Sequence, residues 1–220
     1  MFKEIIKNTS GLSYESRVID TSTPSPTSYM EVNGYDNMKN NPATHHRRSI
    51  RLKGYDYSQA GLYFITMCAQ NRLCLFGKIV DDGRGTMICA LNEYGRIAEK
   101  EWIKTPKMRP NIRLDVFVIM PNHIHGIIEI NEIADGRGTT HRAPTVEQFG
   151  KPTANTIPTI IRGYKSSVTK QINILRNQTG VRVWQRNYYE HIIRDEKSYF
   201  QIAEYIQTNP LKWQNDKYYV

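Results

Sequence analysis

Cysteine is scarce in this chain of 220 residues, and the three present, Cys68, Cys74 and Cys89, make no CxxC pair. That usage argues against a disulfide framework and a four-thiolate zinc site. A reducing cytoplasm is the simplest compartment for it. Long apolar runs are missing too. The longest, Leu62 to Ala69, is interrupted by Thr66 and falls far short of the ~18 residues a membrane span requires. No secretory leader is expected, because Glu4, Lys7 and Asn8 break the N-terminus where an apolar segment would lie. A glycine period, a sustained heptad and a long repeat are also lacking, which excludes collagen, coiled coil and solenoid. The one internal echo, Asp82-Gly-Arg-Gly-Thr86 against Asp135-Gly-Arg-Gly-Thr139, reads as two turn-forming loops. Acidic residues are outnumbered: 30 Lys and Arg against 21 Asp and Glu leave a net charge of +9. That balance suits an acidic partner, whether nucleic acid or an anionic membrane, or plain solubility.

At 25.6 kDa the chain has room for one domain, or one domain and a tail. More than half of residues 11–44 are Ser, Thr, Pro, Asn or Gly, with no hydrophobic period, so residues 1–44 read as a disordered tail. Met38, just before the composition shifts, is a candidate natural start. The domain is expected over 45–220. Within it, Leu62 to Ala69 reads as a buried strand. Leu91, Tyr94, Ile97, Ala98 and Trp102 recur at helical spacing. Ile112, Leu114, Val116, Val118 and Met120 alternate as a strand with one core face. Pro121-Asn122 then makes a tight connection to a second strand, His123 to Ile130. A polar loop follows over 131–156. Ile157, Ile160, Ile161, Tyr164, Val168, Ile172 and Leu175 form the stripe of a helix. A short strand around Val183 to Ile193 precedes a last helix, about Glu196 to Thr208, expected to stop before Asn209-Pro210. This order predicts an α+β layer: an antiparallel or mixed sheet with helices mainly on one face.

Three constellations carry chemistry. On a strand, residues two apart share a face, so His123 and His125 can grip one cation while Ile124 enters the core. They can equally be two polar residues on a solvated face. On the last helix Tyr205 lies about 60° from the apolar stripe at Ile202, and Asn209 follows one turn on, on the same side. A phenol can attack phosphorus and an amide oxygen can ligate a hard cation, but with 14 tyrosines in the chain, packing is the common role. The third is Arg182-Val-Trp184-Gln-Arg186-Asn-Tyr188-Tyr189-Glu-His191. Cations there can neutralise phosphates while aromatic faces stack on unpaired bases, or the rings can be core and the charges a solvated edge. The basic run from His45 to Lys53 is open in the same way.

Taken in order, several segments resemble the REP-associated tyrosine transposases, a branch of the single-stranded-DNA HUH transposases. They are Arg47-Arg48-Ser-Ile-Arg51-Leu with Gly54-Tyr-Asp-Tyr57, Tyr63-Phe-Ile-Thr66, and Val118-Ile-Met-Pro-Asn-His123-Ile-His125-Gly126. Val183-Trp-Gln-Arg-Asn-Tyr188-Tyr-Glu-His191 and Tyr205-Ile-x-x-Asn209-Pro210 complete the set, which spans about residues 45–213. The resemblance implies a ferredoxin-like α+β fold with both histidines on a central strand. It implies that His123, His125 and Asn209 ligate a divalent cation, Mg²⁺ or Mn²⁺, and that Tyr205 is the nucleophile. The product would be a 5′-phosphotyrosine link and a free 3′-hydroxyl on single-stranded DNA folded into a palindromic hairpin. Only ~0.1% of a phenol of pKa ~10 is ionised at pH 7, and the sequence names no base to assist it.

Candidate nucleic-acid contacts are Arg47, Arg48, Arg51, Lys53, Arg162, Lys165 and Arg186. The expected protein is monomeric, cytoplasmic and nucleoid-associated, with no membrane partner. The alternatives are a non-cleaving hairpin-binding regulator and a nuclease of the rolling-circle or relaxase type.

Overall fold

The computed structural model describes residues 55–132 and 155–220. The tail at 1–44, Met38, the basic residues Arg47, Arg48, Arg51 and Lys53, the second Asp-Gly-Arg-Gly-Thr copy and most of the polar loop lie outside the described residues.

Among the described residues six strands and three α-helices follow in order: β1 (Gly61–Cys68), β2 (Gly77–Asp81), β3 (Met87–Leu91), α1 (Glu93–Met108), β4 (Ile112–Ile119), β5 (His123–Ile130), α2 (Ile157–Leu175), β6 (Tyr189–Ile193) and α3 (Glu196–Thr208). Strands β4-β5-β1-β6 form one antiparallel sheet in that spatial order, and β2 and β3 form a separate hairpin. The four-stranded order and the β-α-β-β-α-β sequence of its elements are those of a ferredoxin-like layer. β5 is a central strand, as the resemblance implied.

Alternation along β1 and β5 divides the residues between two cores. Tyr63, Ile65 and Met67 with Ile124, Ile128 and Ile130 face α1 and α2, which bring Ala98, Trp102, Ile160, Ile161, Tyr164 and Val168. Leu62, Phe64 and Ile127 face the other way, under Tyr199 and Ile206 of α3. Two helices thus cover one face and the third covers the other. A side-chain cap starts each helix: Asn92 Oδ1 accepts from Gly95 N at 3.0 Å, Thr156 Oγ1 from Thr159 N at 3.4 Å, and Asp195 Oδ1 from Ser198 N at 2.8 Å.

The structure departs from the sequence reading in four places. β4 does not keep one register: a bulge between Leu114 and Phe117 turns Leu114 and Phe117 toward the larger core and Val116 and Val118 toward α3. The strand expected over 183–193 shrinks to Tyr189–Ile193. Val183 and Gln185 instead tie their backbones to Gln70 N and Cys68 O at the end of β1, at 2.8 and 3.0 Å. The β2–β3 hairpin was not anticipated; its turn at 82–86 was, closed by Asp82 N to Thr86 O at 2.9 Å. Finally, α3 ends at Thr208, yet Asn209 keeps helical angles (φ −57°, ψ −42°) despite the following Pro210. Its carbonyl accepts from Lys212 N at 3.1 Å, which continues the turn past the proline.

Gly126, directly after His125, is fixed by packing. A Cβ built there would lie 2.6 Å from Trp102 Cζ2 and 3.1 Å from Phe117 Cβ. Trp102 is itself locked edge-on against Tyr164, with ring centroids 5.2 Å apart. Gly126→Ala is therefore expected to destabilise the fold by about 2 kcal/mol through overpacking, read as a lower urea midpoint; an unchanged midpoint contradicts this packing.

Candidate active site

Strand periodicity puts His123 and His125 on the α3 face of β5, and both are fully buried. Each ring is anchored through Nδ1. His123 Nδ1 lies 2.8 Å from Asn122 Oδ1, and His125 Nδ1 lies 2.8 Å from Thr66 Oγ1, its cross-strand partner on β1. An amide oxygen can only accept, so it holds the His123 hydrogen on Nδ1 and leaves the Nε2 lone pair free. The two rings stand 4.5 Å apart, centroid to centroid. Burial drives both toward the neutral form. His123 is pushed down to about 4 by burial, opposed in part by Asp216, and His125 lies well below its ordinary 6.5 through burial and the neighbouring His123.

Helix α3 brings the next two groups. The Tyr205 hydroxyl donates to Asp216 Oδ2 at 3.4 Å and lies 3.2 Å from His125 Nε2. Asn209, one turn on and 1 % exposed, donates from Nδ2 to Asp216 Oδ2 at 2.6 Å. Because a carboxylate only accepts, this bond fixes the amide's orientation and commits Oδ1 to the opposite side. Asp216 is set in turn by Tyr218 N, which donates to its Oδ1 at 2.6 Å. Tyr218 and Trp213 roof the imidazoles, with centroids 4.6 and 6.0 Å from His123.

Two buried acceptors, His123 Nε2 and Asn209 Oδ1, have no hydrogen-bond partner among the described residues. Each such group costs about 1–3 kcal/mol. The ligand atoms of His123, His125 and Asp216 lie within 4.8 Å of one another, and the Asn209 side chain adjoins His123. Two acceptors without hydrogens, His123 Nε2 and Asn209 Oδ1, beside a carboxylate fit a divalent cation. Nitrogen and oxygen donors in this mix suit Mn²⁺, Mg²⁺ or Zn²⁺. As a metal ligand His125 would carry its hydrogen on Nδ1, toward Thr66 Oγ1, and its Nε2 lone pair would not be shared with Tyr205. Burial, then the Asp216 charge and Tyr218, raise the Tyr205 phenol further above its ordinary value, so it is held as a neutral phenol.

His123, His125, Tyr205 and Asn209 are thus brought together. Arg162 and Arg186 are exposed on α2 and ahead of β6. Lys165 is more committed: its Nζ donates to Gln185 O and Asn187 O at 3.0 and 2.8 Å, and burial lowers it to about 8. Two of its three donors are therefore spent on backbone. Sequence reasoning missed Thr66, Asn122 and Asp216. Asn122 was read only as a turn residue, yet it is fully buried and its Nδ2 donates to Arg72 O and Tyr218 O at 3.1 and 2.8 Å. Its place beside His123 was the available signal; Asp216, seven positions past Asn209 on irregular chain, had none.

No family model matches the chain. It is 49% identical over 185 residues to an uncharacterised protein of Haemophilus influenzae, covering 83% of this chain and 98% of that one. A second H. influenzae protein, named a candidate REP-associated tyrosine transposase, is 27% identical over 157 residues, covering 71% of this chain and 74% of that one. Two solved structures are more distantly similar. One is a REP-associated tyrosine transposase bound to a REP hairpin (21% identity, TM-score 0.46, 79% of this chain and 76% of that one). The other is a candidate transposase of Deinococcus radiodurans (15%, TM-score 0.35, 72% and 97%). Similarities this loose carry no argument about the site.

The buried neutral imidazoles make stability depend on pH. Both titrate near 6.5 in the unfolded chain and lower in the fold. As pH falls from 6.5 toward about 4, the unfolded chain binds more protons, so stability is lost through that window. The slope is at most about 1.4 kcal/mol per pH unit for each ring. Urea midpoints of chelator-treated protein are expected to drop between pH 7 and pH 5 and to drop less in a His123→Gln/His125→Gln variant. Equal slopes contradict the assignment.

Proposed function

We propose that the chain is a REP-associated tyrosine transposase, like the relative to which it is 27% identical, and that it cleaves and rejoins single-stranded DNA through Tyr205 with the help of a divalent cation. The observation that carries this reading is the meeting of the Tyr205 hydroxyl with His125 Nε2 and Asp216 Oδ2 beside the two unpartnered acceptors of His123 and Asn209. His123, His125 and Asn209 would hold the cation, Mg²⁺ or Mn²⁺, with the Asp216 carboxylate beside them. When bound, such a cation polarises a phosphodiester oxygen and offsets charge developing on phosphorus.

The remaining work falls to the chain. Tyr205 Oη attacks phosphorus, the P–O3′ bond breaks, and the departing 3′-oxygen takes up the proton that Tyr205 gives up, by way of Asp216, to leave as a free hydroxyl. The phenolic proton passes to Asp216 Oδ2, the nearest charged acceptor, which supplies the base the sequence did not name. The new 5′-phosphotyrosine keeps the energy of the broken ester, so a 3′-hydroxyl can reverse the step without ATP. Burial of the imidazoles keeps them neutral at pH 7 and available as ligands.

The substrate in this reading is a palindromic repeat folded into a hairpin, approached by the exposed cations Arg162 and Arg186, with Arg47, Arg48, Arg51 and Lys53 as further contacts from residues outside the described ones. The protein acts as a monomer on chromosomal DNA in the cytoplasm. Among the described residues no helix is long and apolar enough to cross a membrane.

The test uses end-labelled hairpin oligonucleotides with unpaired flanks, incubated with Mn²⁺ or Mg²⁺. Wild type is expected to form an SDS-resistant protein–DNA adduct, and Tyr205→Phe to form none. Persistence of the adduct in the variant moves the nucleophile elsewhere. Hairpin binding without an adduct under either metal supports a non-cleaving regulator instead.

A further inference from the structure

The basic and aromatic segment ahead of β6 is only partly used by the site. Tyr188 lies under Lys165, with Nζ 5.8 Å from its centroid. Tyr189 is different: it is 48% exposed among the described residues. In the sheet it pairs with Thr66, and Thr66 pairs with His125. The three therefore form one cross-strand row on the same face, Tyr189 two strand spacings, about 10 Å, from His125. Its ring meets the edge of Phe64 at 6.1 Å, and Phe64 in turn meets Tyr205 at 6.2 Å and stacks on His125 at 5.5 Å.

Cations alternate with rings beside it. Lys217 Nζ lies 5.6 Å from the Tyr189 centroid and 4.9 Å from Tyr218, and the Arg72 guanidinium lies 5.7 Å from Tyr218. Arg72 is held there at a backbone cost. It and Asn71 both adopt the left-handed region, at φ 55°, without being glycine. Its carbonyl is tied to Asn122 and its Nη1 donates to Lys217 O at 3.3 Å. The result is a strip, Arg72–Tyr218–Lys217–Tyr189, that runs past the buried histidines to the half-exposed Tyr189 ring, over which the Lys217 ammonium lies.

We propose that Tyr189 is a stacking seat for the unpaired base next to the scissile phosphate, with Lys217 and Arg72 on the neighbouring phosphates; this rests on reading the site as a single-stranded-DNA strand transferase. A base offers the Tyr189 ring a π-face of any sequence, and phosphates between bases meet cations between rings. The Phe64 edge keeps the tyrosine in place, so the seat is formed before DNA arrives. Seating the base holds the adjoining phosphodiester over Tyr205, which makes Tyr189 a positioning residue that leaves the chemistry itself unchanged.

The experiment compares full-length wild type, Tyr189→Ala and Tyr189→Trp. Binding is measured in chelator on a hairpin with an unpaired flank and on the same hairpin trimmed flush. Tyr189→Ala is expected to weaken the flanked hairpin about tenfold and leave the flush one unchanged, with Tyr189→Trp restoring affinity. An abasic nucleotide at the seated position is expected to weaken wild type equally, with no added loss in Tyr189→Ala. In the adduct assay with Mn²⁺ the rate at saturating DNA is also expected to fall, because the phosphodiester is no longer held over Tyr205. Equal affinity of Tyr189→Ala and wild type for the flanked hairpin overturns the seat, and so does equal weakening on both hairpins. Failure of wild type to form any adduct overturns the strand-transfer reading instead, and the binding arm then decides the seat by itself.

Discussion

Both imidazoles of β5 are fastened at Nδ1, and the rest of the site depends on that fastening. A histidine buried without a partner would be free to turn its lone pair anywhere. Here Asn122 and Thr66 take the Nδ1 side, so both Nε2 atoms look toward α3. The antiparallel pairing that supplies Thr66 also aligns Phe64 and Tyr189 on the same face. One sheet register therefore sets the ligands, the ring that backs them and the exposed tyrosine beside them. A one-residue slip of β5 would send the histidines into the aliphatic core.

The other half of the site comes from α3 and the chain that follows it. Asp195 starts the helix, and the turn through Asn209 carries it past Pro210 without moving the amide off the Tyr205 side. Asp216 then reaches back to fix both. Asn122 closes the circuit by binding the carbonyls of Arg72 and Tyr218. Groups far apart in sequence are thus held in one polar network, packed against the apolar layer of Leu62, Phe64 and Ile127. Two acceptors in that network are left without hydrogens. A fold that gained nothing from those two atoms would have no reason to bear their desolvation.

Much of this was legible because it rests on local periodicity. The two-residue spacing of His123 and His125 and the four-residue spacing of Tyr205 and Asn209 are properties of a strand and a helix. Their faces followed without tertiary information. The bulge in β4 was not legible, since Leu114 and Val116 look alike as apolar residues and only the partner strand reveals the extra residue. The brevity of β6 was hidden for a similar reason: Val183 and Trp184 are buried, but their backbones serve the end of β1. Asp216 lay beyond reach because irregular chain carries no period. Lys165 read as a candidate nucleic-acid contact, and the carbonyls that occupy it come from another segment.

The central claim is that three side chains, His123, His125 and Asn209, converge to hold one divalent cation next to Tyr205, with Asp216 beside them. Anomalous diffraction from crystals soaked in Mn²⁺, recorded at a wavelength near the manganese edge, tests it most directly. The account predicts a single strong peak bounded by His123 Nε2, His125 Nε2 and Asn209 Oδ1, beside the Asp216 carboxylate, with the Tyr205 hydroxyl released from His125. A fully occupied manganese elsewhere, with these atoms unligated and Tyr205 still bonded to His125, would contradict it.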